Sequence, residues 1–156
     1  MPNYWLFKSE PSTFGWERLV RDGRTEWSGV RNYQARNNMM EMKDGDLGFF
    51  YHSSTKEPGI AGIVKVVREA YPDFTAFDRK GEYYDPKSKP DKPIWQMVDV
   101  EPVRPLPRFV TLAELRTNVS LAATMVLLKR GSRLSVQPVH VREWDLIVKL
   151  SEKPAP

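Results

Sequence analysis

The hydrophobic residues of this chain fall into short strand-like runs separated by stretches with helical spacing. Residues 4–8 are an aromatic and apolar run bounded by polar residues, which predicts a strand. Apolar residues at helical spacing predict a helix over 14–21. A central helix is predicted from about 32 to 42, because three apolar residues recur there at i, i+4 and i+7. These are Ala35, Met39 and Met42.

Three further apolar runs predict strands in the middle of the chain, at residues 47–52, 60–69 and 94–101. Between the last two lies a long segment, 71–93, in which prolines, glycine and aspartates predict irregular structure. Its five aromatic residues argue against disorder, and a loop of this length in a compact domain is usually functional. They are Tyr71, Phe74, Phe77, Tyr83 and Tyr84.

The C-terminal third predicts short elements. Three prolines are expected to limit regular structure directly after the strand at 94–101, namely Pro102, Pro105 and Pro107. Thr111 is expected to cap one short helix and Ser120 another that stops at Gly131, followed by a strand at 134–137 and a last helix opened by Pro138. The mixture predicts an α+β fold whose four to six strands curl into a small mixed β-barrel with helices packed outside.

Composition narrows the class of protein. The chain has 156 residues, of which 40% are hydrophobic, so one domain with a packed core is expected. The N-terminus lacks the pattern of a signal peptide, and no run approaches the ~20 apolar residues of a membrane span. We therefore expect a soluble cytoplasmic protein without membrane association. The net charge of +4 is compatible with a polyanionic partner.

Cysteine and histidine usage excludes several kinds of chemistry. The chain has no cysteine, which removes disulfides, thiolate metal sites and a Cys nucleophile. His52 and His140 are far apart, so no metal site and no cofactor are expected. No spacing favours a Ser-His-Asp triad, and the glycines form no phosphate-binding loop. An enzyme acting on a nucleobase through Glu10, His52 or Asp85 stays an alternative.

The segment at 27–38 is the strongest candidate for ligand binding. It places the indole of Trp27 and the small residues Ser28 and Gly29 beside the donors of Arg31 and Asn32. An aromatic face next to amide and guanidinium groups suits the stacking of a planar heterocycle and hydrogen bonding to its edge. The alternative is a helix start, capped by Ser28 or Asn32, that follows a core tryptophan.

Polar groups at predicted strand ends extend this candidate site. Lys8 and Ser9 lie at the end of the first strand, and His52 and Ser53 lie at the end of the strand at 47–52. Asp85 in the aromatic loop offers an acceptor for an exocyclic amine. Near the C-terminus, arginines, serines and a glycine interleave over residues 130–138 in a way that suits contact with phosphates or base edges.

Several blocks in order resemble EVE domains across about residues 3–150. The blocks are 4–11, 27–37, 45–46, 51–53, 62–66, 84–86, 95–100 and 133–138. The resemblance implies a PUA-like fold, related to YTH domains, over residues 1–150, with 151–156 as a frayed tail. It further implies binding of a modified base in an aromatic-lined pocket with Trp27 as one wall. The second wall is expected from the long loop, which holds the five aromatic residues named above.

The hypothesis that follows is non-catalytic binding of a modified nucleobase in DNA or RNA, with a protein interaction module as a further alternative. The expected ligand-binding residues are Lys8, Ser9, Trp27, Ser28, Val30, Asn32, His52, Ser53 and Asp85. The expected phosphate-binding residues are Arg31, Arg36, Arg130 and Arg133.

Overall fold

Six strands form one mixed sheet in the computed structural model, which describes residues 2–156. The strands are β1 (Tyr4–Ser9), β2 (Thr25–Glu26), β3 (Leu47–His52), β4 (Gly59–Pro72), β5 (Gln96–Thr111) and β6 (Val136–Val139). The α-helices are α1 (Pro11–Phe14), α2 (Trp16–Asp22), α3 (Tyr33–Glu41), α4 (Leu112–Thr117), α5 (Val119–Thr124) and α6 (Val141–Ser151). Short 3-10 helices cover Phe74–Phe77 and Val126–Leu128. The predicted α+β class is confirmed.

The strand order is β2-β5-β4-β3-β1-β6, and β1 runs parallel to β3 while the other pairs are antiparallel. The parallel pair sets Lys8 beside Tyr51 and Ser9 beside His52. Because parallel strands end at the same edge of a sheet, the two predicted strand ends meet there.

The sheet carries a hydrophobic cluster on each face. Leu6 and Phe7 are adjacent in β1 and both fully buried, yet they belong to different clusters because side chains alternate along a strand. Met39 of α3 packs in the Phe7 cluster, and Trp144 of α6 packs in the Leu6 cluster. The candidate site described below opens on the Phe7 side.

The helix predicted over 14–21 is wrong in its bounds, because the chain forms two helices there. Pro11 begins α1 at a position where a missing N–H costs nothing. Gly15 is extended, with φ −96° and ψ 176°, and separates α1 from α2. The chain therefore turns a corner at Gly15.

The prediction that prolines limit regular structure after residue 101 is also wrong. Strand β5 continues through all three prolines to Thr111, and Pro102 and Pro105 lie opposite Val64 and Gly62 of β4. On its other side β5 pairs with β2 only at Asp99 and Val100, so a proline beyond that point removes no N–H that β2 needs. The register shifts between β4 and β5 accommodate the rest.

Three C-terminal boundaries differ from the prediction. Helix α5 is capped by Asn118 rather than Ser120, and it ends well before Gly131. Pro138 lies in the edge strand β6, so the last helix begins after His140. By contrast, Thr111 caps α4 as predicted, accepting a hydrogen bond from the Glu114 amide.

Arginine contacts hold the end of α6. Arg108 donates to the carbonyl oxygens of Leu150 and Lys153 at 2.8 and 2.5 Å, and it forms an ion pair with Glu114 at 2.7 Å. Ser151, the first residue of the predicted tail, is buried within α6. Met1, the first residue of the predicted domain, lies outside the described residues.

Within residues 2–156, no helix is long and apolar enough to cross a membrane. In the same part of the chain, no group of three or more His, Asp or Glu side chains is placed to hold a metal ion.

Candidate functional site

A cleft of about 560 Å³ opens where four segments converge on the Phe7 side of the sheet. The segments are the end of β1 with helix α1, residues 25–31, residues 82–83 and Ser135. Six of the predicted site residues line it, namely Lys8, Ser9, Trp27, Ser28, Val30 and Arg31. The residues that line the cleft are far apart in the sequence. Lys8 and Ser135, which both line it, are more than a hundred positions apart.

Trp27 is held at the cleft by the sheet. Strand β2 pairs with β5, and the Trp27 amide continues the ladder by donating to the carbonyl of Val98 at 2.7 Å. Its ring meets Phe7 and Phe50 edge to face, with centroids 5.1 and 5.8 Å apart. Only 8% of the residue is exposed. Trp27 therefore borders the cleft and is at the same time a core residue, with little of its ring left uncovered.

Gly29 allows a second aromatic ring to approach the same segment. It adopts φ +80°, and its amide donates to the carboxylate of Asp73 at 2.8 Å. A Cβ at this position would lie 2.8 Å from the ring of Tyr83. Of the five loop aromatics, Tyr83 lines the cleft, so the loop contributes one aromatic residue to its lining.

Arg31 joins the 25–31 segment to the loop, and this contradicts its predicted phosphate contact. Its guanidinium donates to Asp73, Thr75, the Val30 carbonyl and, twice, the Tyr83 carbonyl. A guanidinium has five N–H donors, so all are engaged within the protein. Arg31 lines the cleft, and its hydrogen bonds hold the 25–31 segment to the loop that carries Tyr83.

Lys8 and Ser9 supply polar groups at the cleft's inner end. The Lys8 amide donates to the Ser135 carbonyl at 2.8 Å, which brings the 129–135 loop to the cleft. Burial lowers the pKa of the Lys8 ammonium from its usual value, because desolvation penalises the charged form. The Ser9 hydroxyl donates to the Phe14 carbonyl at 2.5 Å, so its oxygen is left as an acceptor.

Four predicted ligand-binding residues lie outside this cleft. Asn32 caps α3 by accepting from the Ala35 amide at 2.9 Å. The Ser53 amide donates to the Ser9 carbonyl at 2.9 Å. Their polar groups stabilise the segments around the cleft and do not line it.

His52 and Asp85 are likewise engaged elsewhere. His52 borders a second cleft beside Trp16, whose amide donates to its Nε2 at 3.1 Å, and burial lowers the pKa of the imidazole. Asp85 accepts from the Trp95 indole at 2.7 Å, and this hydrogen bond is the largest cause of the lowered pKa of its carboxyl. Both side chains therefore have structural partners.

The remaining predicted arginines divide into two kinds. Arg36 uses three donors, two on the Asn37 side chain and one on the Ile94 carbonyl. Two of its five N–H groups stay free. Arg130 and Arg133 are exposed in the loop that leads to Ser135.

Sequence reasoning missed the part of the cleft built by the corner between α1 and α2. Thr13, Phe14 and Arg18 line it, and Arg18 lies 5.4 Å over the Phe14 ring. Phe14 and Arg18 fall within the single helix that the sequence predicts over 14–21. The extended Gly15 turns that helix into a corner, and a glycine directly before Trp16 was the available signal.

The model of the family described as EVE domain matches residues 3–150. Human thymocyte nuclear protein 1 is 47% identical over 171 residues, covering 98% of this chain and 76% of that protein. The crystal structure of human THYN1 in complex with DNA containing 5-methylcytosine matches with a TM-score of 0.93 and 46% identity, covering 98% of this chain and 99% of that one.

A solved structure of much lower sequence identity shares the fold. The YTH domain of Zygosaccharomyces rouxii MRB1 matches with a TM-score of 0.53 at 12% identity, over 99% of this chain and 87% of that one. This likeness concerns the fold alone and agrees with the PUA-like architecture expected from the sequence. Since the family model spans almost the whole chain and a relative is 47% identical over nearly all of it, the chain belongs to the EVE domain family.

Proposed function

We propose that this protein binds a modified nucleobase, extruded from a nucleic acid strand, in the cleft bordered by Trp27 and Tyr83. The observation that carries the proposal is the approach of these two rings to one cleft of about 560 Å³. Human THYN1, 46% identical with the same fold, has been crystallised with DNA containing 5-methylcytosine. That base is therefore the first to test.

The polar groups of the cleft match the edge of a cytosine. Cytosine presents an exocyclic amine that donates and ring N3 and O2 that accept. The Ser9 oxygen and the Glu10 carboxylate are acceptors for the amine, and the Lys8 ammonium is a donor for O2. Val30 adds apolar surface at the cleft, which suits contact with a methyl group on the ring. Stacking on the aromatic residues adds ~1–3 kcal/mol for each base.

Binding rather than catalysis is supported by where the candidate acids and bases lie. Of the three groups considered for an enzyme, Glu10 lines the cleft, whereas His52 and Asp85 lie outside it and have hydrogen-bond partners of their own. A catalytic pair would need both groups within reach of one substrate atom. Turnover of modified nucleosides by the purified protein would favour the enzyme alternative.

A pair of glycine variants tests the proposal. Gly29→Ala places a Cβ 2.8 Å from the Tyr83 ring, too close for a non-bonded contact, so the ring must leave its position at the cleft lining. We expect binding of a 5-methylcytosine oligonucleotide to weaken by about ten-fold or more, as the loss of one stacked ring predicts. Fluorescence anisotropy with modified and unmodified oligonucleotides measures it, and the preference for the modified one should shrink.

Gly23→Ala is the matched control for that measurement. Gly23 has φ +78°, close to the +80° of Gly29, but a Cβ there meets nothing within 4 Å. Both variants share the backbone strain of a left-handed alanine, about 1 kcal/mol, and only Gly29→Ala displaces a ring. Equal binding by the two variants would contradict a role for Tyr83, and absence of any preference in the unaltered protein would contradict the proposed function.

Arg133 provides a separate test of the phosphate contacts. We expect Arg133→Ala to weaken oligonucleotide binding several-fold and to reduce the slope of log K against log salt by about one unit, as for one lost phosphate contact. Stability should hardly change, because the residue is exposed. Arg142→Ala, which removes an exposed arginine from α6 on the other face of the sheet, should leave the slope unchanged. Equal slopes for all three proteins would remove Arg133 from the interface.

A further inference from the structure

A series of adjacent aromatic rings and guanidinium groups leads from the cleft to the exposed Tyr33. The Arg31 guanidinium lies 5.6 Å from the ring centroid of Tyr83 and 5.5 Å from that of Trp95. The Trp95 ring lies 4.9 Å from the ring of Tyr33, and the Arg36 guanidinium lies 5.0 Å from the Tyr33 ring. We call this series the stacking ladder.

The inner members of the stacking ladder are fixed in place. Trp95 is buried and its indole donates to Asp85 at 2.7 Å. Arg31 is held by the buried Asp73 at 3.0 Å and by the Tyr83 carbonyl at 2.7 Å. A ring that rests on such a support loses little conformational freedom when a ligand stacks on it, which favours binding.

The outer end of the stacking ladder is open. Tyr33 is 59% exposed, although it stands at the start of α3 and its neighbour Trp95 is buried. The Arg36 guanidinium lies over part of this ring, 5.0 Å from its centroid, and is oriented by Asn37 and the Ile94 carbonyl. Two of its N–H donors have no hydrogen-bond partner among residues 2–156. An exposed aromatic face next to an oriented cation is the combination by which proteins bind bases and phosphates of single strands.

We propose that Tyr33 and Arg36 bind a second nucleotide of the same single strand whose modified base occupies the cleft. The base stacks on the Tyr33 ring, and the free donors of Arg36 contact its phosphate. This proposal rests on the proposed function, which places the nucleic acid strand at the cleft. Tyr83 belongs both to the cleft and to the stacking ladder, so the two nucleotide sites adjoin. The contact is independent of sequence, since every base has a π-face.

The test compares a short single-stranded oligonucleotide, carrying one 5-methylcytosine and a neighbouring 2-aminopurine, with the 5-methylcytosine mononucleotide. Tyr33→Ala is expected to weaken oligonucleotide binding about 5- to 150-fold, the range of one stacked base. It should leave mononucleotide binding unchanged and abolish the quenching of 2-aminopurine fluorescence on binding. Tyr33→Phe should restore affinity and quenching, because only the ring is required.

Tyr84→Ala is the matched control, since Tyr84 is an exposed tyrosine, at 37%, outside the stacking ladder and the cleft. It should bind both ligands like the unaltered protein. Unchanged oligonucleotide affinity in Tyr33→Ala, or an equal loss for oligonucleotide and mononucleotide, would overturn the second nucleotide site. Failure of the proposed function is distinguishable, because it removes the preference of the unaltered protein for 5-methylcytosine whatever residue 33 is.

Discussion

Replacing Trp27 by alanine should abolish the preference for a modified base and leave a weak, salt-dependent attraction to nucleic acid. The ring borders the cleft, and a stacked base is worth ~1–3 kcal/mol, which corresponds to about 5- to 150-fold in affinity. The exposed Arg130 and Arg133 are unaltered in this variant, so attraction to phosphates persists. Anisotropy titrations with modified and unmodified oligonucleotides at two salt concentrations measure both components.

The same substitution carries a stability cost that has to be separated from binding. Trp27 is 8% exposed and packs against Phe7 and Phe50, so Trp27→Ala leaves a cavity in the core. Such aromatic truncations cost about 3–5 kcal/mol, a large part of the ~5–15 kcal/mol that stabilises a domain. Trp27→Leu restores most of the apolar volume without a flat ring and is the matched variant.

We expect Trp27→Leu to be more stable than Trp27→Ala in urea unfolding and to be equally indifferent to the modification. If Trp27→Leu keeps the full preference, the base is bound elsewhere, and the second cleft beside Trp16 and His52 is the next place to look.

The position of Trp27 shows how far local sequence determines the site. The 27–38 segment was identified from residue types alone, and Asn32 does cap the helix that begins at Tyr33. The burial of the indole could not be derived from the segment, because it depends on the β2–β5 pairing and on two phenylalanines from β1 and β3. A tryptophan between two polar residues carries no local sign of such tertiary burial.

The presence of Tyr83 at the cleft depends even more on tertiary structure. Nothing in the composition of the 71–93 loop distinguishes Tyr83 from its other aromatic residues. What selects it is a left-handed Gly29 more than fifty residues earlier, together with the carbonyl hydrogen bonds from Arg31. The phosphate role expected of Arg31 failed for the same reason, since its five donors are satisfied by groups whose proximity the sequence does not reveal.

The strands were easier to predict than the elements between them. Short aromatic and apolar runs located β1, β3 and β4, because burial in the sheet requires apolar residues over most of each strand. The predicted strand at 94–101 ends ten residues before β5 does, because the sequence does not reveal which edge of the strand its prolines occupy. An edge without a partner tolerates proline, and this information lies in the strand order rather than in the segment itself.

The removal of one carboxylate should destabilise the whole wall of the cleft. Asp73 is 0% exposed and accepts hydrogen bonds from the Gly29 amide at 2.8 Å, from Arg31 at 3.0 Å and from the Thr75 amide and hydroxyl at 2.9 and 2.5 Å. Asp73→Ala leaves these donors unpaired and the Arg31 charge without its partner. Breaking a buried ion pair in this way costs about 3–5 kcal/mol.

Asp73→Ala should therefore strongly lower the urea concentration at the midpoint of unfolding. It should also weaken binding of the modified base under conditions in which the protein remains folded, although Trp27 and Tyr83 are both still present. The reason is that Asp73 accepts the Gly29 amide and also holds Arg31, which binds the Tyr83 carbonyl, so its loss increases amide hydrogen exchange at Gly29 before global unfolding. Asp22→Ala is the control, because Asp22 forms only surface ion pairs with Arg18 and Arg21, at 3.7 and 3.5 Å, and should change stability by less than about 1 kcal/mol. Asp73→Asn should fall between the two, since its amide oxygen still accepts hydrogen bonds while the charge opposite Arg31 is lost. If the Gly29 amide exchanges as slowly in Asp73→Ala as in the unaltered protein, the wall of the cleft is held by packing of Tyr83 instead.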